Sequence, residues 1–149
     1  MSLYLRRSWN NSCFCYALYV TIRYQESCEG VTPTQLTGFF THWRNPRPPE
    51  DHLAILQGSD YIVLALDEAN GQVVGFVTAL TDSVQAAFIP LLEVLPAYQD
   101  RGIGSELMRR VLERLAHLPA VDLTCNLEMQ TFYARFGMQP SVGAVLRNP

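Results

Sequence analysis

The stretch Gln99-Asp100-Arg101-Gly102-Ile103-Gly104-Ser105 lies between an apolar run, Ala86 to Leu95, and a segment in which Leu107, Met108, Val111, Leu112, Leu115 and Leu118 recur at spacings of three and four. The run reads as a central strand and the segment as one face of an amphipathic helix from Gly104 to Leu118. Glycines two apart in a strand-to-helix turn let a ligand approach the backbone closely. The helix start behind them offers unpaired N–H groups and a partial positive charge. Such a turn can cradle a diphosphate or be merely a tight connection. A dinucleotide fingerprint, GxGxxG, would need glycine where Leu107 stands, and an ATP loop, GxxxxGK[ST], would need a lysine.

The chain has no lysine, since all 11 of its cationic side chains are arginine. Schiff-base chemistry, the phosphate-loop lysine and the kinase strand lysine are therefore excluded. A net charge of −3, with the arginines scattered, leaves no basic stripe for nucleic acid. Cys13, Cys15, Cys28 and Cys125 form no CxxC pair and have no histidine at zinc spacing, so they read as reduced thiols and no metal is expected. The run Phe14 to Val20 is interrupted by Thr21 and Arg23, so neither a signal peptide nor a membrane span is read there. The expectation is a cytoplasmic protein with no membrane partner.

Outward from the glycine turn, the pattern fits one domain over 13–149 behind a loose lead-in at 1–12. Cys13 to Tyr24 is rich in aromatic and β-branched residues and reads as a strand. Thr32-Pro33 opens a short helix over Gln35 to Trp43, a proline-rich loop follows, and Glu50 to Gln57 is a second helix ended by Gly58. Tyr61 to Asp67 and Gln72 to Leu80 form a hairpin around Asn70-Gly71. Pro90 removes a ladder hydrogen bond from the strand Ala86 to Leu95, so a bulge or splayed edge is expected there. Beyond the long helix come a strand Ala120 to Cys125, a helix Leu127 to Phe136 closed by Gly137, and a strand Val142 to Arg147. Early antiparallel strands and a late strand-helix-strand crossover predict an α/β fold, a mixed sheet with helices on both faces.

The pattern [QR]xxGx[GA], met by Gln99, Gly102 and Gly104, resembles the acetyl-CoA motif of the GNAT N-acetyltransferase superfamily. The block from Asn126 through Phe132-Tyr133-Ala134-Arg135-Phe136-Gly137 resembles that superfamily's following segment, with Met129 and Met138 as apolar departures. The resemblance implies a six- to seven-stranded sheet whose central parallel strands splay to take the cofactor, acetyl-CoA. It implies that backbone groups of Leu92 and Val94 hold the pantetheine and acetyl carbonyl. The turn Gln99 and Asp100, with the N–H groups of Arg101, Gly102, Ile103, Gly104 and Ser105, would hold the pyrophosphate. Asn126 would touch the pantetheine arm, and Tyr133 would sit beside the thioester sulfur.

Moving an acyl group from a thioester to an amine requires a base, an oxyanion donor and a proton for the departing thiolate. Tyr133 suits the last role, the alternative being a packed core tyrosine. Glu93 is the first candidate for the base. Strand alternation, however, turns it away from Leu92 and Val94, where it could instead pair with an arginine. Asp122, His42 and His52 are weaker candidates, and Cys125 reads as a small buried residue. Phe39, Phe40 and Trp43 either line an acceptor pocket or pack on the sheet. The implied activity is acetylation of a small-molecule or peptide amine by direct attack, in a monomer or homodimer. The rival is an acyl-CoA-binding or sensing domain without catalysis.

Overall fold

The structure is a computed structural model and describes residues 20–148. Five strands form one sheet in chain order: β1 (Ile22–Gln25), β2 (Tyr61–Asp67), β3 (Val73–Thr81), β4 (Ala86–Val94) and β5 (Ala120–Leu123). Neighbours are antiparallel except β4 and β5, which are parallel. The hairpin between β2 and β3 closes where expected. Gly71 takes φ +72 and donates its N–H to the Asp67 carbonyl at 2.7 Å. The Asp67 carboxylate receives the Ala69 N–H at 2.9 Å and stiffens the same turn.

Pro90 acts as its lack of an N–H requires. Thr78 faces Leu91 and Leu80 faces Phe88, so Ile89 and Pro90 together oppose Ala79 in a bulge. Helix α2 (Ile103–Leu115) packs on one face of the sheet through Ile103, Leu107, Met108, Val111 and Leu115, all buried. Burial of each contributes about 1.5–3 kcal/mol for side chains of this size. Gly75 makes the close crossing possible, because a Cβ there would stand 3.1 Å from Leu107 and 3.2 Å from Ile103. On the other face Phe76 receives Phe39, Phe40 and His52, the last from α1 (Pro49–Gln57). Helices therefore cover both faces, and none described is long and apolar enough to cross a membrane.

Several expectations are corrected. The helix over Gln35 to Trp43 is a single 3-10 turn, Pro33–Leu36, opened by a Thr32 N–H bond to Gln35 Oε1 at 2.9 Å. Left-handed backbone at Gly38 and Phe40 then breaks the helical path, and Phe39 and Phe40 enter the core separately. The helix over Leu127 to Phe136 is a 3-10 turn, Leu127–Met129, continuing into a short α3 (Gln130–Ala134), with Gly137 at φ +80 beyond it. The last strand is not formed, so among the described residues the sheet has five strands rather than six or seven. Val142, Val145 and Leu146 are exposed, and with no partner edge and no covered face they gain nothing from extension. Of the strand Cys13 to Tyr24, only the part from Ile22 forms within the described residues; the lead-in at 1–12 lies outside them.

Candidate active site

The pairing of β4 with β5 runs from Ala86 with Ala120 to Ile89 with Leu123 and ends there. Past Pro90 the two strands have parted. The Leu95 N–H donates to the Val74 carbonyl of β3 at 2.9 Å. Since backbone amides alternate sides along a strand, Leu91 and Glu93 also face β3, while Leu92 and Val94 direct N–H and C=O into the opening. Gln99 spans its near end by donating Nε2 to the Val94 carbonyl at 2.9 Å. The Val94 N–H and both backbone groups of Leu92 are left aimed into the gap.

The edge continues into the glycine turn. Asp100 and Gly102 both adopt left-handed backbone, at φ +59 and +78. Gly102 is the N-cap of α2; its carbonyl accepts the first helical bond from Glu106 at 3.0 Å, and no side chain caps the helix. The N–H groups of Ile103, Gly104 and Ser105 precede that bond and lack helical acceptors. Ile103 is buried and anchors the turn, while Arg101 lies outside with its guanidinium 5.4 Å from the Tyr98 ring. The two glycines differ in kind. Gly102 is required by its φ and has nothing within 4 Å of a would-be Cβ. Gly104 has no such φ, and a Cβ there would make ordinary contacts with Val94 at 3.7 Å and Phe132 at 3.8 Å.

Glu106, in the first turn, would repel an anion if left bare. Hydrogen bonds from Arg109 at 2.6 Å and Arg110 at 2.7 Å hold it instead, and Arg109 above all lowers its pKa to about 2. An open, uncapped helix start joined to an unpaired strand edge fits a diphosphate attached to an extended, amide-bearing arm. Two supporting residues escaped the sequence reading. The Tyr98 hydroxyl donates to the buried Asp67 carboxylate at 2.7 Å and thereby ties the segment before the glycine turn to the β2–β3 hairpin. The available signal was a carboxylate ending an otherwise apolar strand.

Tyr133 projects from α3 into a cleft of ≈ 900 Å³ that is also lined by Asp122, Cys125, Phe136 and the segment Gln139 to Gly143. It is half-buried against Phe132, and among the described residues its hydroxyl has no hydrogen-bond partner. Burial, with a smaller contribution from Cys125, pushes its pKa above the ordinary phenol value, so it carries its proton at neutral pH. Cys125 is exposed rather than buried, because β5 ends at Leu123 and the chain leaves the sheet there. Asn126 is exposed at the start of the 3-10 turn; its carbonyl accepts the Met129 N–H at 3.0 Å and its side chain caps nothing. The cleft at Tyr133 includes neither Leu92, Val94, Glu93 nor the glycine turn.

Glu93 stands on the opposite face, as alternation requires, paired in register with Phe76. Its partners are not arginines: the Phe40 N–H reaches its two oxygens at 3.1 and 3.3 Å, and Trp43 Nε1 donates at 3.2 Å. Burial raises its pKa above the usual carboxylate value, against the opposing pull of the Phe40 and Trp43 bonds and of His42. His52 lies behind Phe40, fully buried in a cage of Phe39, Phe40 and Phe76, and neither ring nitrogen has a hydrogen-bond partner. It is a core residue, whereas His42 and Asp122 are exposed.

The profile of the Acetyltransferase (GNAT) family matches residues 29–138. The chain belongs to the GNAT acetyltransferase family. A crystal structure of an acetyltransferase candidate from Deinococcus radiodurans R1 is 48% identical, with TM-score 0.81 over 85% of this chain and 87% of that one. A GNAT family acetyltransferase from Streptococcus pneumoniae TIGR4 is 30% identical, with TM-score 0.65 over 86% and 97%. Glucosamine-6-phosphate N-acetyltransferase from Arabidopsis thaliana, at 15% identity and TM-score 0.61 over 86% and 98%, shares the fold. No curated protein matches the chain. Membership of the GNAT family implies acetyl transfer from an acyl-CoA.

Proposed function

We propose that this GNAT protein transfers an acetyl group from acetyl-CoA to a primary amine, of a small molecule or a peptide, by direct attack with both substrates bound. The observation that carries the reading is the unpaired edge of β4 at Leu92 and Val94, running into the uncapped start of α2 at Gly102 and Gly104. Backbone donors from Arg101 to Ser105 hold the diphosphate, and Leu92 holds the arm. Bound acetyl-CoA supplies the activated acyl group as a thioester.

The remaining work belongs to side chains and one amide. A lysine-like amine with a pKa of ~10.4 is almost wholly protonated at neutral pH, so attack needs a proton acceptor. Glu93 fills this role, directly or through water: its carboxylate is desolvated enough to be a better base than an exposed one. The Val94 N–H, pointing into the opening, donates to the oxygen on which charge develops. Tyr133 gives its proton to the departing thiolate, a task that suits a phenol kept protonated by burial. Thiol release measured with a panel of polyamines, amino acids, aminoglycosides, aralkylamines and peptide N-termini tests the reading. Release above background with at least one class is expected. Background release throughout, alongside tight acetyl-CoA binding, would replace the enzyme with an acyl-CoA-binding domain.

A further inference from the structure

The loop from Gly38 to Trp43 adopts a backbone that its sequence does not favour. Phe40 stands at φ +60, in the left-handed region that disfavours a residue with a β-carbon. The conformation persists because the Phe40 ring is locked between His52 at 4.8 Å, Trp43 at 5.3 Å and Phe76 at 5.8 Å. One result is that the Phe40 N–H points across to Glu93, 53 residues away in sequence. Trp43 reinforces the contact. Although 43% exposed, it turns its indole N–H inward to Glu93 Oε2. A carboxylate has about four acceptor sites, and two donors leave room for an amine proton.

We propose that Trp43 is a positioning residue: its indole N–H, acting with the Phe40 N–H, fixes the orientation of the Glu93 carboxylate for its role as proton acceptor. The inference rests on the reading of Glu93 as proton acceptor. The titratable groups around this carboxylate are His42 on the same loop and His52 of α1 behind Phe40; β3 contributes Phe76 and Thr78 to that face, neither of which is charged.

Trp43→Phe keeps the ring and removes the donor. Because the lost bond favoured the charged carboxylate, the acid limb of the kcat/KM profile for the amine should move to higher pH. At its plateau kcat should fall roughly tenfold through misplacement of the base, with the KM for acetyl-CoA unchanged. Trp43→Tyr should move the limb in the same direction, which guards against a folding defect in either variant. An unmoved limb in both variants overturns the proposal while leaving acetyl transfer intact. So does a Glu93→Gln enzyme with the wild-type rate and profile. Absence of turnover by the wild-type enzyme with every amine defeats the acetyl-transfer reading, and this inference with it.

Discussion

Every buried side chain of α2 on its face of the sheet is apolar, whereas the α1 face buries His52 and Thr78 without hydrogen bonds and half-buries Glu93. The same asymmetry separates the two halves of the site. On the α2 side, the proposed binding groups are backbone amides, placed by a strand that has lost its neighbour and a helix that lacks a cap. On the α1 side, the proposed proton acceptor, Glu93, is a side chain whose position depends on contacts from Phe40 and Trp43, distant in the chain. Backbone donors serve any ligand of the right shape and survive most substitutions. Side-chain arrangements can be retuned residue by residue, which is how one fold comes to serve many acceptors.

The division predicts that chemistry and binding can be uncoupled on the cofactor side. Tyr133→Phe removes one hydroxyl from a half-buried ring and leaves the glycine turn untouched. Turnover should fall ~10²-fold or more while acetyl-CoA affinity stays within a factor of a few. Steady-state rates together with calorimetric binding measure both quantities. An unchanged rate removes Tyr133 from the mechanism and returns it to the packing of α3.

The α1 face should instead show itself in stability. Burial in the phenylalanine cage lowers the pKa of His52 from 6.5 to about 4, despite the nearby Leu36 backbone. The folded state therefore resists a proton that the unfolded chain accepts below pH 6.5. Stability is full above that value and declines as pH falls towards 4, by about 2 kcal/mol between pH 7 and pH 5. His52→Leu removes the proton site and an unpaired buried polar group together, so its urea midpoint should hardly move over the same range. If wild type and variant decline in parallel, other groups govern the acid response.

Legibility followed the same boundary. Whatever local chemistry decides could be read directly: the bulge at Pro90 from its missing N–H, the turn at Gly71 from the Asn70-Gly71 pair, and the opposed faces of Glu93 and Val94 from strand alternation. The features that escaped are settled by partners far along the chain. Nothing near Gln35 announces that Phe40 will bind Glu93, so the Thr32-Pro33 start reads as a helix running to Trp43 where the structure has one 3-10 turn. The bond between Tyr98 and Asp67 joins residues 31 apart, and no periodicity encodes it. Cys125 reads as the buried end of a strand Ala120 to Cys125, yet β5 stops at Leu123 and leaves it in the open.

Gly104 gives the finest test of the backbone side, because the protein itself does not need glycine there. Its φ is not left-handed, and a Cβ would meet Val94 and Phe132 only at ordinary contact distance. Alanine should therefore be tolerated, and its better helix propensity should hold or raise the melting temperature. A ligand packed against that Cα would nevertheless meet a new methyl group. Gly104→Ala should weaken acetyl-CoA binding by roughly tenfold, about 1.4 kcal/mol, in a protein at least as stable as the original. Substitution at Gly102 could not separate the two effects, since φ +78 would strain any side chain whether or not a ligand binds. Unaltered affinity in Gly104→Ala would mean that the diphosphate does not approach this turn, and the backbone half of the contrast would have to be relocated.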